Sequence, residues 1–189
     1  MARGLRVIAG SVGGRRLLGP PGREARPTSD RVKEAVFGGI GDRVVDAMVL
    51  DLYAGSGALT IEALSRGARG AVLVERERAA LDVIRHNLEI TGFADAARAS
   101  GASVAAFLRA GPPEEAPFDL VLVDPPYDLV ASELGRAIEA LAAPGWLAPG
   151  AAVVVERRTK GEPVAFPAAW DSGSNRVYGD TLVTIATAD

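Results

Sequence analysis

Along the chain, short apolar runs alternate with stretches whose apolar residues recur every three or four positions. Val32, Val36 and Ile40 stand four apart behind the capping candidates Thr28 and Ser29, which predicts an amphipathic helix from Thr28 to Ile40, with Gly38 and Gly39 near its end. From Met48 onward the runs VLDLY (49–53), AVLVE (71–75) and FDLVLV (118–123) read as strands. LTIEALSRG (59–67), a stretch reaching Asn87, a short piece at 104–109 and residues 132–142 read as helices between them. A weaker strand is expected at 96–99 and another at AAVVVE (151–156). Nearly continuous apolar runs suit parallel strands covered on both faces. The rhythm breaks near the end, where 170–177 and 181–186 flank Tyr178, Gly179 and Asp180 with no room for a helix, so an antiparallel hairpin is expected. Near the start, Leu5–Ala9 and Leu17–Leu18 are separated by Gly10, Gly13 and Gly14, and the run GPPG at 19–22 follows. This predicts a hairpin arm.

The predicted fold class is therefore α/β: a Rossmann-like seven-stranded sheet with helices on both faces, an antiparallel C-terminal hairpin and an N-terminal β-hairpin arm. The expected division is an arm over residues 1–27 and a main domain over 28–189, because 189 residues hold one full α/β core and not two. Trp146 and Trp170 are expected in core packing and His86 on a helix surface.

The composition narrows the chemistry. With no cysteine, disulfides, thiolate zinc sites and a cysteine nucleophile are excluded, and one histidine cannot build a histidine-rich metal centre, so no metal is expected. Carboxylates, hydroxyls, backbone groups or an organic cofactor must do the work. No apolar run has the length of a signal peptide or a membrane span, which makes the cytoplasm the expected location. Residues 1–33 carry eight Lys or Arg against two acids, a balance of +6 that leaves −9 for the rest of a chain whose net charge is −3. A basic arm on an acidic body can draw in a polyanion locally, with its side chains projecting away from the main domain, and Arg15, Arg16, Arg23, Arg26 and Arg31 are its candidate contacts.

Two segments carry the chemistry. The first, Asp51–Gly57 (DLYAGSG), ends a strand and opens a helix, and Gly55 and Gly57 let the backbone pass close to a ligand. Thr60 stands where the dinucleotide fingerprint has its third glycine, which favours a ligand without a pyrophosphate. Twenty positions after Gly55, Glu75 ends the second strand, where an acid can accept hydrogen bonds from ribose hydroxyls. The second, Asp124-Pro125-Pro126-Tyr127, follows the strand FDLVLV. Its prolines fix the backbone so that the Pro125 carbonyl points outward beside the Asp124 carboxylate, and Tyr127 offers a flat face for an unstacked base. An aromatic amine shares its lone pair with the ring. Two acceptors on its N–H groups would localise that pair.

RPTSDRVKEAVF (26–37), DLYAGSGALTIEALSRGA (51–68), VLVERERAA (72–80) and DPPY, with the VIAGSVGGRRL arm (7–17) and the YGDT turn (178–181), resemble the RsmD family of 16S ribosomal RNA guanine-N2 methyltransferases. Five βα units finishing in a hairpin match that sheet better than a dehydrogenase's. The resemblance implies S-adenosylmethionine as cofactor, held by Asp51, Tyr53, Ala54, Gly55, Ser56, Gly57, Glu75 and the adjoining Arg76, with Thr28 closing over its methionine end. It also implies a target-base site at Asp124–Tyr127, direct in-line transfer to guanine N2 and 16S ribosomal RNA or the small subunit as partner; a monomer is expected. The segment after the third strand, ASGAS (99–103), lacks the acid or amide many methyltransferases place at the cofactor adenine, which leaves Ser103 or backbone groups for that role. Three alternatives stay open: methylation of adenine N6 in DNA, methylation of a protein glutamine, and an inactive RNA-binding assembly factor.

Overall fold

The computed structural model describes residues 5–19, 30–126 and 128–189. After α1 (Asp30–Ile40) come β1 (Met48–Leu52), α2 (Ala58–Ser65), β2 (Gly70–Val74), α3 (Arg78–Thr91), β3 (Ala97–Ser100), α4 (Val104–Arg109), β4 (Phe118–Val123), α5 (Ala131–Leu141), β5 (Leu147–Arg158), β6 (Asp171–Tyr178) and β7 (Thr181–Thr187). The strands form one sheet in the order β3-β2-β1-β4-β5-β7-β6. β1 to β5 run parallel, while β7 lies antiparallel between β5 and β6. This is the predicted seven-stranded α/β architecture, and no helix among the described residues is long and apolar enough to cross a membrane.

Alternation along the strands explains the unbroken apolar runs, because successive side chains feed opposite faces and both faces are covered. Val49, Leu73, Leu120, Leu122 and Val154 pack with α1, α2 and α3. Leu50, Leu52, Val72, Val121, Val123 and Val153 pack with α4 and α5 on the other face. Trp146 and Trp170 are buried in this second core, and Phe107 lies 5.7 Å from Trp146, while His86 is exposed on α3.

The N-terminal hairpin forms, with Val7 N–H donating to the Arg15 carbonyl and Leu17 N–H to the Leu5 carbonyl, both at 2.9 Å. Its Arg15 and Arg16 side chains are exposed, while its apolar side chains turn to the body. Val7 and Leu17 are buried in the first core, and the hairpin's turn docks on α2. Ile8 N–H (2.7 Å) and Ala9 N–H (3.1 Å) donate to the two oxygens of Glu62, and Ser65 Oγ donates to the Ala9 carbonyl. At Gly10, φ is +86° and a Cβ would lie 1.8 Å from the Ser65 carbonyl oxygen, so only glycine fits this approach. The expected boundary between residues 27 and 28 lies outside the described residues.

Charge holds this contact as well. Glu62 is fully buried, pairs with Arg66 at 2.8 Å, and lends its field to the fully buried Lys33, whose ammonium donates to the Arg6 carbonyl and lies 3.9 Å from Asp30. Burial lowers the Lys33 pKa while Glu62 and Asp30 raise it. Removing the buried acid takes the partner from Arg66 and two hairpin amides and leaves Lys33 only Asp30 as a compensating charge, so Glu62→Ala should lower the unfolding free energy by about 3–5 kcal/mol. Urea unfolding followed by circular dichroism measures this, and a loss below about 1 kcal/mol, the scale of an exposed ion pair, would refute the role assigned to Glu62.

Candidate active site

Ligands of open α/β sheets bind beyond the carboxyl ends of the strands, where the strand order reverses. Here the chain crosses from β3, at one edge, to β4 on the far side of β1, so β1 pairs with both β2 and β4. The registers Leu52↔Val74, Leu52↔Val123 and Val123↔Val155 align the ends of β1, β2, β4 and β5. The residues just past those ends meet in one cleft of about 2120 Å³. Small-ligand pockets usually measure about 300–1000 Å³, so this cleft has room for more than one small group.

The glycine loop forms one wall. Gly57 precedes α2 with φ +76°, and a Cβ there would press on Leu73 Cδ2 at 3.2 Å. At Gly55, φ is +58° and an added Cβ would meet no protein atom nearer than the Tyr53 carbonyl oxygen at 3.9 Å, so it would stand in the cleft itself. This open cradle leaves room for a cofactor segment lying against the backbone. Tyr53 adopts φ +68°, a left-handed conformation that costs a non-glycine residue about 1–3 kcal/mol and marks this loop as held in shape by its surroundings.

Two carboxylates hold it. Gly55 N–H donates to Glu75 Oε2 and Glu77 N–H to Glu75 Oε1, both at 2.9 Å, which leaves each oxygen a further lone pair for hydroxyl donors. Asp51 lies behind the loop, 1% exposed, and accepts from Thr60 Oγ1 at 2.6 Å. Burial, with smaller contributions from the charges of Asp124 and Glu75, raises its pKa to about 7 against the opposing hydrogen bond from Thr60. The Asp51–Thr60 hydrogen bond therefore ties the end of β1 to α2, the two elements the loop connects.

Across the cleft, Asp124 and Pro125 follow β4, with Asp124 half-buried and Pro125 buried. Asp51, Glu75, Asp124 and Glu156 all line the cleft, whereas Arg31, Arg76, Arg109, Arg136 and Arg176 line it from exposed positions. The floor is acidic, and the exposed lining mixes these five arginines with Glu34, Glu77, Asp128, Glu133 and Asp180, so the cleft suits hydroxyl and amine donors inside while individual arginines at its edge can meet phosphates.

The sequence-derived candidates separate accordingly. Ser56, Gly57 and Ala54 lie in the loop as expected, and Ser103 caps α4 by accepting from Ala106 N–H at 3.2 Å, which commits one lone pair of its hydroxyl to the fold. Arg76 is exposed and pairs with Glu77 at 3.2 Å. Arg15 and Arg16 are exposed on the hairpin and are not part of the cleft lining, in contrast to Arg31. Arg23, Arg26, Thr28 and Tyr127 lie outside the described residues.

Sequence reasoning misses Asn87, Glu156 and the rim residues Arg109, Arg136 and Arg176. The buried Asn87 side chain accepts from Leu18 N–H at 2.8 Å and donates to the Leu18 and Ser56 carbonyls, both at 2.9 Å, tying the end of the hairpin to the glycine loop. A polar residue at a buried position of α3's apolar face is the one signal in the chain that points to it.

The chain is similar to known proteins. The family described as conserved hypothetical protein 95 matches residues 5–187. Ribosomal RNA small subunit methyltransferase D of Escherichia coli K12 is 38% identical over 175 residues, covering 93% of this chain and 85% of its own. The Haemophilus influenzae protein of the same name is 34% identical over 167 residues, covering 88% and 84%. A solved structure of the putative methyltransferase yhhF from Escherichia coli superposes with a TM-score of 0.83 at 36% identity, covering 97% of each chain.

Asp51 makes a pH-dependent contribution to stability. Between its ordinary value near 3.8 and about 7, the folded protein keeps a proton that the unfolded chain has released, so stability falls as pH rises through that window. At 1.36 kcal/mol per pKa unit the loss is about 4 kcal/mol. Asp51→Asn should remove this component, so that between pH 4 and pH 8 its urea midpoint falls less than that of the wild type. Parallel midpoint curves would contradict the assignment.

Proposed function

The chain belongs to the conserved hypothetical protein 95 family, and on that premise we propose that it is an S-adenosylmethionine-dependent methyltransferase acting on the exocyclic N2 amine of a guanine in small-subunit (16S) ribosomal RNA. The observation that carries this reading is the placement of Asp124 and Pro125 at the end of β4, side by side with the Gly55 cradle and Glu75 at the ends of β1 and β2. When bound, S-adenosylmethionine supplies an electrophilic methyl group.

Glu75 would accept the cofactor's ribose hydroxyls with the lone pairs that Gly55 and Glu77 leave over, and Gly55 to Gly57 would carry its backbone-facing side. The Asp124 carboxylate and the Pro125 carbonyl accept the two N–H groups of the target amine, which turns its lone pair out of conjugation with the ring. Such preorganised acceptors supply most of the catalysis when no covalent intermediate forms. The base must leave its pair or stack to reach a recessed cleft, which favours an unpaired nucleotide. Arg31, Arg109, Arg136 and Arg176 on the rim, with Arg15 and Arg16 on the hairpin, supply cations for RNA phosphates. A monomer acting on the small subunit is consistent with this arrangement. The same acceptors would serve adenine N6 or a glutamine amide, but the ribosomal RNA methyltransferases among the relatives favour RNA.

The two acids separate by function. Glu75→Ala should weaken cofactor binding by about 1–3 kcal/mol, the scale of hydrogen bonds to a charged group. Asp124→Ala should lower methyl transfer by about 10²–10³-fold while calorimetric cofactor affinity stays within a few-fold. Equal losses of binding and transfer in Asp124→Ala would contradict its role at the amine.

For the hairpin, the pair of substitutions Arg15→Gln and Arg16→Gln should flatten the salt dependence of RNA binding, by about 0.7 in the log–log slope for each single-stranded phosphate that the variant no longer neutralises. Filter binding across a salt series, with a thermal melt to confirm folding, checks this. An unchanged slope in a folded variant would remove the hairpin from the RNA interface.

A further inference from the structure

Beside Asp124 lies a second acid that neither the cofactor nor the target amine engages. Glu156, near the end of β5, is 6% exposed and lines the cleft, and among the described residues its Oε2 has no hydrogen-bond partner. Because Val123 pairs with Val155, Glu156 follows directly beside Asp124. A buried oxygen left without a partner costs about 1–3 kcal/mol, and one on a residue that lines the main cleft is placed to take a partner that arrives from outside.

We propose that Glu156 is a base-specificity residue whose carboxyl faces the N1–H and O6 edge of the guanine whose N2 amine Asp124 receives, a role that rests on the proposed guanine-N2 activity and deepens it. Next to the amine, guanine presents an N–H and then a carbonyl oxygen. Adenine presents an unprotonated ring nitrogen and then C–H, and cytosine presents an unprotonated ring nitrogen and then a carbonyl. A neutral carboxyl can donate its O–H to the unprotonated ring nitrogen of adenine or cytosine, but only guanine takes both of its hydrogen bonds, with C=O accepting from N1–H while O–H donates to O6.

The protonation state follows from the surroundings. Burial and then the adjacent charge of Asp124 push the Glu156 pKa up to about 8, so the carboxyl is neutral at pH 7. Other ionisable groups that line the same cleft include Asp51 from β1, Glu75 after β2, Asp128 after β4, Glu133 and Arg136 from α5, and Arg176 and Tyr178 from β6, with Asp180 in the turn that follows. Asp124 is the one whose charge acts on Glu156.

Glutamine copies the neutral carboxyl, with an acceptor and a donor in the same places and no titration. Methyl transfer to small ribosomal subunits lacking the modification, measured as kcat/KM from pH 6.5 to 9, therefore tests the proposal. Glu156→Gln should stay within about three-fold of the wild type at pH 7 and lose the wild type's decline above pH 8. Glu156→Ala should fall by at least about 30-fold, the scale of two lost hydrogen bonds, with calorimetric cofactor affinity unchanged. A Glu156→Gln variant that keeps the alkaline decline, or is as impaired as Glu156→Ala, overturns the proposal, and this variant decides alone if the alanine variant does not fold. N2-methylguanosine formed by the wild type in that situation leaves the proposed activity standing. A wild type that modifies another amine, or no RNA at all, overturns both.

Discussion

The parallel pairing of β1 with β4 is the constraint on which the rest of the molecule depends. It requires the chain to cross from one edge of the sheet to the other side of its first strand, and it thereby sets the glycine loop that follows β1 beside Asp124 and Pro125, which follow β4. Because both sheet faces are buried against helices, neither strand can slip by one residue without sending its whole apolar set to the wrong core, so the register of the two segments is fixed as firmly as the fold itself.

That placement concentrates acids where water is scarce. Asp51 and Glu156 are both nearly inaccessible and both held toward their neutral forms, by burial first and by the neighbouring carboxylates second. The parallel sheet is therefore less stable than its packing alone would suggest, and the penalty falls at the cleft. The N-terminal hairpin is fastened by the opposite arrangement, a buried acid with its hydrogen-bonding capacity met by two amides and an arginine. Through Asn87 the same hairpin reaches the backbone of the glycine loop, so a segment whose arginines face solvent and a loop that faces the cofactor share one side chain.

Much of this is legible in the chain. FDLVLV reads as a buried parallel strand and becomes β4 over the same six residues, and the Val104–Arg109 helix appears with the expected bounds, because in both cases local pattern and tertiary burial agree. The glycine loop, Glu75 and Asp124 are visible because their chemistry is written in contiguous motifs at strand ends. What stays hidden depends on pairing between distant segments. Glu62 sits inside LTIEALS like any helix-surface acid, and only the docking of Ile8 and Ala9 reveals it as buried. Glu156 ends an ordinary apolar run, and its partnership with Asp124 exists only once β5 is laid against β4. Arg109, Arg136 and Arg176 come to the rim from α4, α5 and β6, so no local charge count finds them, whereas the arginine-rich N-terminus dominates any such count.

In the proposed reaction, the two acceptors after β4 present a guanine N2 amine to the cofactor cradled by β1 and β2. The chemical identity of the product decides whether they do: incubation of the protein with isotopically labelled S-adenosylmethionine and small ribosomal subunits lacking the modification, digestion of the RNA to nucleosides and mass spectrometry. Label should appear in N2-methylguanosine alone. Label in N6-methyladenosine, or in protein with none in RNA, would contradict this assignment of the acceptors.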